Sequence, residues 1–313
     1  MAKATGPKLE GGQQSVVRNA PQWMALAALL GGNAALALGP WFVRLADTGP
    51  VSAGFWRLAL AIPFLFLLAR REQGGSIRIP KAFWAITFGA GAFFALDIGS
   101  WHIGIEQTRL GNATLFGNSG SLLIMAWGLI VLRRRPTLAE FIAVGAAIAG
   151  AAILLGRSLD IDPAYLIGDL FCILAGFLYT FYILLLQGAR SKMGNWTLLS
   201  WSSFIGAPIL LAMAIFLGEP VMPTVWWPVI VLALTSQIIG QGLLVWSLGH
   251  FPPLIIGMAL LTQPAIAALV GWLRFGEVLG PLDIMGMALV AAALAIARSK
   301  PGTVISPASP GQS

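Results

Sequence analysis

Residues 93–132 read FFALDIGSWHIGIEQTRLGNATLFGNSGSLLIMAWGLIVL, and this stretch decides how the chain folds. Two apolar runs, each long enough to cross a bilayer, meet at a short polar turn, Glu106 to Arg109. Inside the runs lie Asp97, Ser100, His102, Asn112, Asn118 and Ser119. Polar groups at membrane depth are costly and face the protein interior or a water-filled cavity. The pattern returns 145 residues later in VWSLGHFPPLIIGMALLTQPAIAALVGWLRFGE, residues 245–277. At that offset Trp101 falls on Trp246, Gly104 on Gly249 and Trp127 on Trp272; upstream, Trp56 falls on Trp201 and Pro63 on Pro208. Tryptophan is too rare for three such pairs to arise by chance, so the chain reads as an internal duplication.

Composition agrees with a membrane protein. Of 313 residues, 58% are hydrophobic and only 10% are charged, against about 25% charged in soluble domains. The net charge of +7 would suit nucleic acid, but the basic residues lie in the loops between apolar runs, so no nucleic-acid partner is expected. The single cysteine, Cys172, excludes an intrachain disulfide and a cysteine-based zinc site. No Walker motif, strand-linked GxGxxG or HExxH occurs, so neither a cofactor, a metal nor primary ATP-driven transport is expected.

Ten spans are predicted, at about 22–44, 51–69, 82–105, 110–132, 137–156, 167–188, 197–217, 224–248, 253–274 and 281–298. Breaks such as Thr48-Gly49-Pro50, Gly218-Glu219-Pro220 and Gly280-Pro281 punctuate them. Residues 1–20 and 299–313 read as polar disordered tails, and 157–166 as an external linker between repeats 21–156 and 167–298. With the N-terminus inside, fourteen Lys and Arg fall on the inner side and four (Arg44, Arg109, Arg157, Arg274) on the outer, which places both termini in the cytoplasm. Five spans per repeat turn the second copy upside down. The fold class is therefore an all-α polytopic membrane protein of ten transmembrane helices in two inverted five-helix repeats. That architecture favours secondary transport, with the substrate near the midplane between repeats.

Three segments then resemble a known family. FWRLALAIPFLFLL (55–68) is similar to the second helix of EamA-type drug/metabolite transporters, with its Arg at Arg57. GDLFCILAGFLYTFYILLLQ (168–187) is similar to their sixth helix. LLTQPAIAALVGWLRFGEVLGPLDIMGMALVAAALAI (260–296) carries Pro264, Gly276-Glu277 and Gly286 in the family's order. The first copy departs from the pattern, with Arg133-Arg134-Arg135-Pro136 in place of Gly-Glu-Arg-Pro and Ser119 near the position of the repeat-related proline. The resemblance covers residues 22–298. It implies a central cavity lined by helices 1, 3, 4, 6, 8 and 9, peripheral helices 5 and 10, and export from the cytoplasm across a bacterial inner membrane. Exporters of aromatic and other neutral amino acids are its nearest members in character.

Asp97 and Trp101 share one face of the third span. Asp97 reads as a ligand for a substrate ammonium or a coupling proton, with Trp101 covering the site by a cation–π contact, or else as a carboxylate neutralised by a neighbouring helix. His102 reads as a proton relay or as a satisfied interior histidine. Asn33, beside Gly31-Gly32 and Gly39-Pro40, reads as cavity-lining or as an interhelical bond. Tyr179 and Tyr182, Gln237 and Gln241, and the repeat-related pair Asn118 and Gln263 spread uncharged hydrogen-bonding groups over four more spans. They suit a zwitterion or polar metabolite as readily as helix-to-helix bonds. Arg57 beside Trp56 reads as structural or snorkelling in preference to a carboxylate ligand.

The expected partners are thus the lipid bilayer and a small metabolite, with amino acids as the best substrate class and proton coupling open; the oligomeric state is not legible. Two alternatives are a multidrug or nucleotide-sugar carrier of the same fold, and a non-transporting membrane scaffold. A third is an intramembrane hydrolase using Ser119 of Gly117-Asn118-Ser119-Gly120. The hydrolase needs a histidine beside the serine. His102 near the outer end of its span and His250 at the inner edge are poorly placed for that, and no enzyme is expected.

Overall fold

The structure, a computed structural model, describes residues 21–72, 77–108, 110–132, 137–156, 166–190, 193–275 and 280–298. The expected tails, nearly all of the 157–166 linker, the Arg133–Pro136 turn and Gly276-Glu277 lie outside the described residues. Among the described residues the regular structure is entirely helical. Helices α1 (Gln22–Ala37) and α2 (Gly39–Leu45) make one bent segment, followed by α3 (Pro50–Glu72) and α4 (Trp84–Gln107). Next come α5 (Leu110–Gly117), α6 (Gly120–Leu132), α7 (Leu138–Gly156), α8 (Leu166–Arg190) and α9 (Asn195–Phe216). Then α10 (Trp227–Leu232) and α11 (Gln241–Ser247) flank a π-helical segment, Ala233–Gly240. The chain closes with α12 (Pro253–Leu260), α13 (Thr262–Phe275) and α14 (Pro281–Arg298). Six of these segments are long and apolar enough to cross a membrane: Gln22–Leu45, Pro50–Glu72, Lys81–Gln107, Leu166–Arg190, Asn195–Phe216 and Trp227–Ser247. The protein is a polytopic helical membrane protein.

Helix starts follow proline. Pro50, Pro253 and Pro281 open α3, α12 and α14, where a missing N–H costs nothing. The same residue breaks the first segment. Pro40 cannot donate a helical bond, and the chain kinks at Leu38 between α1 and α2. The interruption Asn118-Ser119 between α5 and α6 and the one at Leu261 between α12 and α13 bend two further segments near their middles.

Helices α3 and α9 lie antiparallel and cap one another. After α9, Gly218 takes a left-handed φ of 68°, and its N–H and that of Glu219 bond back to Ile215 O (3.0 Å) and Ala214 O (3.0 Å). This Schellman turn needs glycine and reverses the chain. It aims Glu219 at the start of α3, where its carboxylate accepts from Val51 N (3.3 Å), Ser52 N (2.8 Å) and Ser52 Oγ (3.1 Å). At the other end Glu72, the last residue of α3, accepts from Asn195 N (2.7 Å), Trp196 N (2.9 Å) and Thr197 N (3.4 Å) in the first turn of α9. Each carboxylate satisfies orphan N–H groups and complements the positive helix end. Trp56 Nε1 donates to Val221 O (2.6 Å), and its repeat-related Trp201 Nε1 donates to Ile77 O (2.9 Å). Beyond the Glu219 turn, Asp47 in the loop before α3 bonds the hydroxyl and N–H of Thr224 and the N–H of Val225; these donors, the Thr224 hydroxyl first, hold its carboxyl below the usual carboxylate range.

The main core gathers residues of α1, α3, α4, α8, α9, α11 and α12, including Leu29, Leu58, Phe94, Tyr182 and Leu198, all fully buried. Tyr182 stacks on Phe94 with ring centroids 4.2 Å apart. Helices α7 and α14 pack on each other outside it, joined by Ala143, Ala147 and Ala293 to a small separate cluster with Leu254 and Met258. That leaves the polar interior to the other helices.

Candidate functional site

A narrow cavity opens inside the bundle, with about 460 Å³ of empty space counting its mouth. Its wall is built from Leu36, Arg57, Asp97, Ile98, Trp101, Gly117, Asn118, Tyr179, Gln241 and Gln263. Six of the ten sequence-predicted residues therefore share one space: Asp97, Trp101, Asn118, Tyr179, Gln241 and Gln263. They come from α4, the α5–α6 junction, α8, α11 and α13.

The i, i+4 spacing in unbroken α4 sets Asp97 and Trp101 side by side. Asp97 accepts no hydrogen bond and forms no ion pair among the described residues. Its carboxylate opens to the cavity, and the residue is only 9% exposed. Trp101 is seated by its Nε1, which donates to Ala113 O (3.2 Å), and by Gly117, where any Cβ would come within 2.7 Å of that nitrogen. Asn118 sits at the break between α5 and α6; its amide donates to Thr114 O (2.6 Å). Tyr179 Oη is buried without a hydrogen-bond partner among the described residues. Gln241 accepts from Tyr182 Oη (3.3 Å).

Three predicted residues stand one layer back. Asn33 lies behind Gln263, whose Nε2 donates to Asn33 Oδ1 (2.8 Å), while Asn33 Nδ2 donates to Ala259 O (3.0 Å). The pair ties α1 to the break before α13. Tyr182 stands behind Gln241, to which its hydroxyl donates. Gln237 accepts from Arg57 Nε (3.2 Å) and donates to Ser203 Oγ (2.9 Å). His102 turns away from the cavity; Nδ1 lies 2.8 Å from Pro50 O at the start of α3, and Nε2 has no partner among the described residues. One turn along from Asp97's neighbour Ile98, it serves the α3–α4 contact rather than the cavity wall.

Sequence reasoning underrated Arg57. It does not snorkel to an interface: it is 2% exposed and lines the cavity. The signal was its offset from the helix end, since Pro50 opens α3 two turns earlier. A second surprise is the π segment, where one extra residue per turn re-aims Gln237 and Gln241; such bulges concentrate at functional sites. Ser119 Oγ sits against Gly176, and neither histidine bonds to it: His102 faces Pro50, and His250 Nδ1 lies 3.0 Å from Trp246 O. No hydrolytic dyad forms there.

Comparison with known proteins places this architecture. A family model described as the EamA-like transporter family matches residues 22–156 and again 166–299. The threonine/homoserine exporter RhtA of Escherichia coli (strain K12) is 26% identical over 288 residues, covering 88% of this chain and 92% of the relative. RhtA of Salmonella typhimurium (strain LT2) is 25% identical over 287 residues, with the same coverage of 88% and 92%. A solved structure described only as "Crystal structure of protein" superposes with a TM-score of 0.68 at 16% identity, over 89% of this chain and 96% of that one.

Proposed function

The chain belongs to the EamA-like transporter family, and from that membership we propose that it exports amino acids from the cytoplasm by alternating access around the Asp97–Trp101 cavity. It is a secondary membrane transporter of small metabolites and not an enzyme. The observation that carries the amino-acid reading is Asp97: a buried carboxylate with no hydrogen bond or ion pair among the described residues, open to a narrow cavity beside an indole. An ionisable group at that depth is costly and by default marks a substrate or ion pathway. A substrate ammonium is the partner in this reading, and Trp101 beside it offers a π face. Asn118, Tyr179, Gln241 and Gln263 supply neutral hydrogen-bonding groups, supported from behind by Asn33, Tyr182 and Gln237. His102 is assigned to the α3–α4 contact.

In this reading ten helices cross the inner membrane of a bacterium, with both termini in the cytoplasm. Residues 21–156 and 167–298 form two inverted repeats joined outside by 157–166. The mutual caps of α3 and α9 support the inversion: the end of each helix lies at the start of its repeat-mate, as a two-fold axis in the membrane plane requires. The names of the relatives, threonine/homoserine exporters, favour small neutral amino acids as substrates. Asp97 also serves as the site of proton coupling, unloading substrate when it is protonated.

The test is counterflow in proteoliposomes loaded in turn with unlabelled amino acids, drugs and nucleotide sugars. Labelled threonine accumulating only over an amino-acid load is the expected result, and an imposed pH gradient should change its rate. Accumulation over drugs or nucleotide sugars but no amino acid would overturn the substrate class.

A further inference from the structure

We propose that Arg57 is the carboxylate-binding pole of the cavity, so that Arg57 and Asp97 together select solutes carrying both a carboxylate and an ammonium group. The proposal rests on the amino-acid reading above and adds to it the residue that recognises the acid end.

Arg57 sits about 10 Å along α3 from Pro50, at 1.5 Å of rise per residue. Its Nε donates to Gln237 Oε1 (3.2 Å), and Gln237 in turn donates to Ser203 Oγ (2.9 Å). This chain of bonds fixes the plane of the guanidinium. Its carbon lies 5.9 Å from the centroid of the Phe94 ring, which is itself stacked on Tyr182. The head group is therefore held by one edge and one face. Neither Nη group makes a hydrogen bond among the described residues, and Arg57 lines the cavity. A guanidinium oriented by Nε with both Nη groups free presents a fork matched to the two oxygens of a carboxylate.

Asp97 does not fill that fork. The two residues line the same cavity, and no ion pair joins them among the described residues. Holding two opposite charges apart in a buried space forgoes the attraction that offsets their desolvation. A zwitterion set between them completes both at once. A free amine would leave Arg57 uncompensated, and a free acid would leave Asp97 so. Among the described residues no other charged one lines the cavity, and the rest of the described wall is neutral. The cavity thus carries one positive and one negative pole, the pattern of an amino acid's own backbone.

The experiment uses the full-length protein in proteoliposomes, with labelled threonine counterflow competed by threonine, threonine methyl ester and 3-hydroxybutyrate. The ester lacks the acid charge and the hydroxy acid lacks the ammonium. In the wild type, both analogues should compete at least 30-fold more weakly than threonine. Arg57→Gln should raise the KM for threonine at least 30-fold while changing inhibition by the ester less than threefold, and Arg57→Lys should recover part of the loss. Ester competing as well as threonine in the wild type would overturn the proposal, as would equal weakening of ester and threonine in Arg57→Gln, the signature of a merely structural arginine. Should Arg57→Gln fail to fold, the wild-type competition series decides alone. Wild-type counterflow of threonine with no discrimination against the ester removes this proposal and leaves the amino-acid reading standing; no amino-acid counterflow at all removes both.

Discussion

Helix α4 and the α10–α11 segment carry matching tryptophans 145 residues apart, yet they meet the cavity in different ways. Helix α4 is unbroken and brings a charge, Asp97, with Trp101 at its side. Its counterpart is interrupted by the π segment and brings neutral amides, Gln237 and Gln241. Where the first has Asp97, the second has Gly242, and a Cβ there would come within 2.7 Å of the Trp196 ring. Where α3 has Arg57, α9 has Ser202, fully buried and bonded to Leu199 O (3.2 Å). Trp246, the partner of Trp101, lies outside the cavity, its ring centroid 4.1 Å from that of His250. The tryptophans therefore recur but the electrostatics do not. Both cavity charges come from the first half, and the second half answers with hydrogen-bonding groups. In the proposed reading this asymmetry orients a bound zwitterion, with its charged end towards α3 and α4.

The largest expected effect tests that asymmetry. Asp97→Asn should reduce amino-acid kcat/KM by roughly 100-fold, since removing one partner of a desolvated charge pair costs about 2–5 kcal/mol. Size-exclusion behaviour and melting temperature should stay near wild type, because Asp97 makes no bond that holds helices together. Wild-type flux at equal reconstitution would remove the polar face of α4 from the site.

A smaller effect separates the two tryptophans. Trp101→Ala should raise KM roughly tenfold, the scale of a cation–π contact in a buried site. Trp246→Ala should leave KM within about twofold while lowering stability through lost packing. Equal KM changes in both variants would mean that both tryptophans serve the site.

The smallest effect concerns what the halves share. Glu72→Ala and Glu219→Ala each remove a helix cap and should each destabilise the protein by about 1 kcal/mol, read as melting temperature in detergent. Glu219 also holds the Ser52 hydroxyl, so its variant should be slightly the worse. A large inequality would show that the two ends of the α3–α9 pair are not equivalent.

Much of this was legible before the structure. Apolar run lengths marked the helices, because a span must satisfy its own backbone bonds in lipid. The predicted span at 281–298 coincides with α14 (Pro281–Arg298), and the one at 110–132 is helical but for the Asn118-Ser119 break. Asp97 and Trp101 stood out because polar groups in an apolar run are few. Helical periodicity alone did not separate Gln241, which lines the cavity, from Gln237 and Tyr182, which stand behind it. Nor did it turn His102 towards α3, although His102 lies next to Trp101 in sequence. Those outcomes depend on what packs opposite, such as Pro50 O for His102 and Gln263 for Asn33. The π segment left no trace either, since Ala233–Gly240 has the composition of any apolar helix.

By itself the sequence determined that the chain is a duplicated helical membrane protein, because hydrophobic length and the recurrence of tryptophan and glycine are local properties, readable one segment at a time. Only the tertiary structure decided which polar side chains share a space. Arg57 reaches Asp97's cavity because Gln237, 180 residues away, anchors its Nε, and the first turn of α3 is held by Glu219 from beyond α9. Such meetings arise when separate helices pack, and the energy that fixes them lies in contacts no single segment contains.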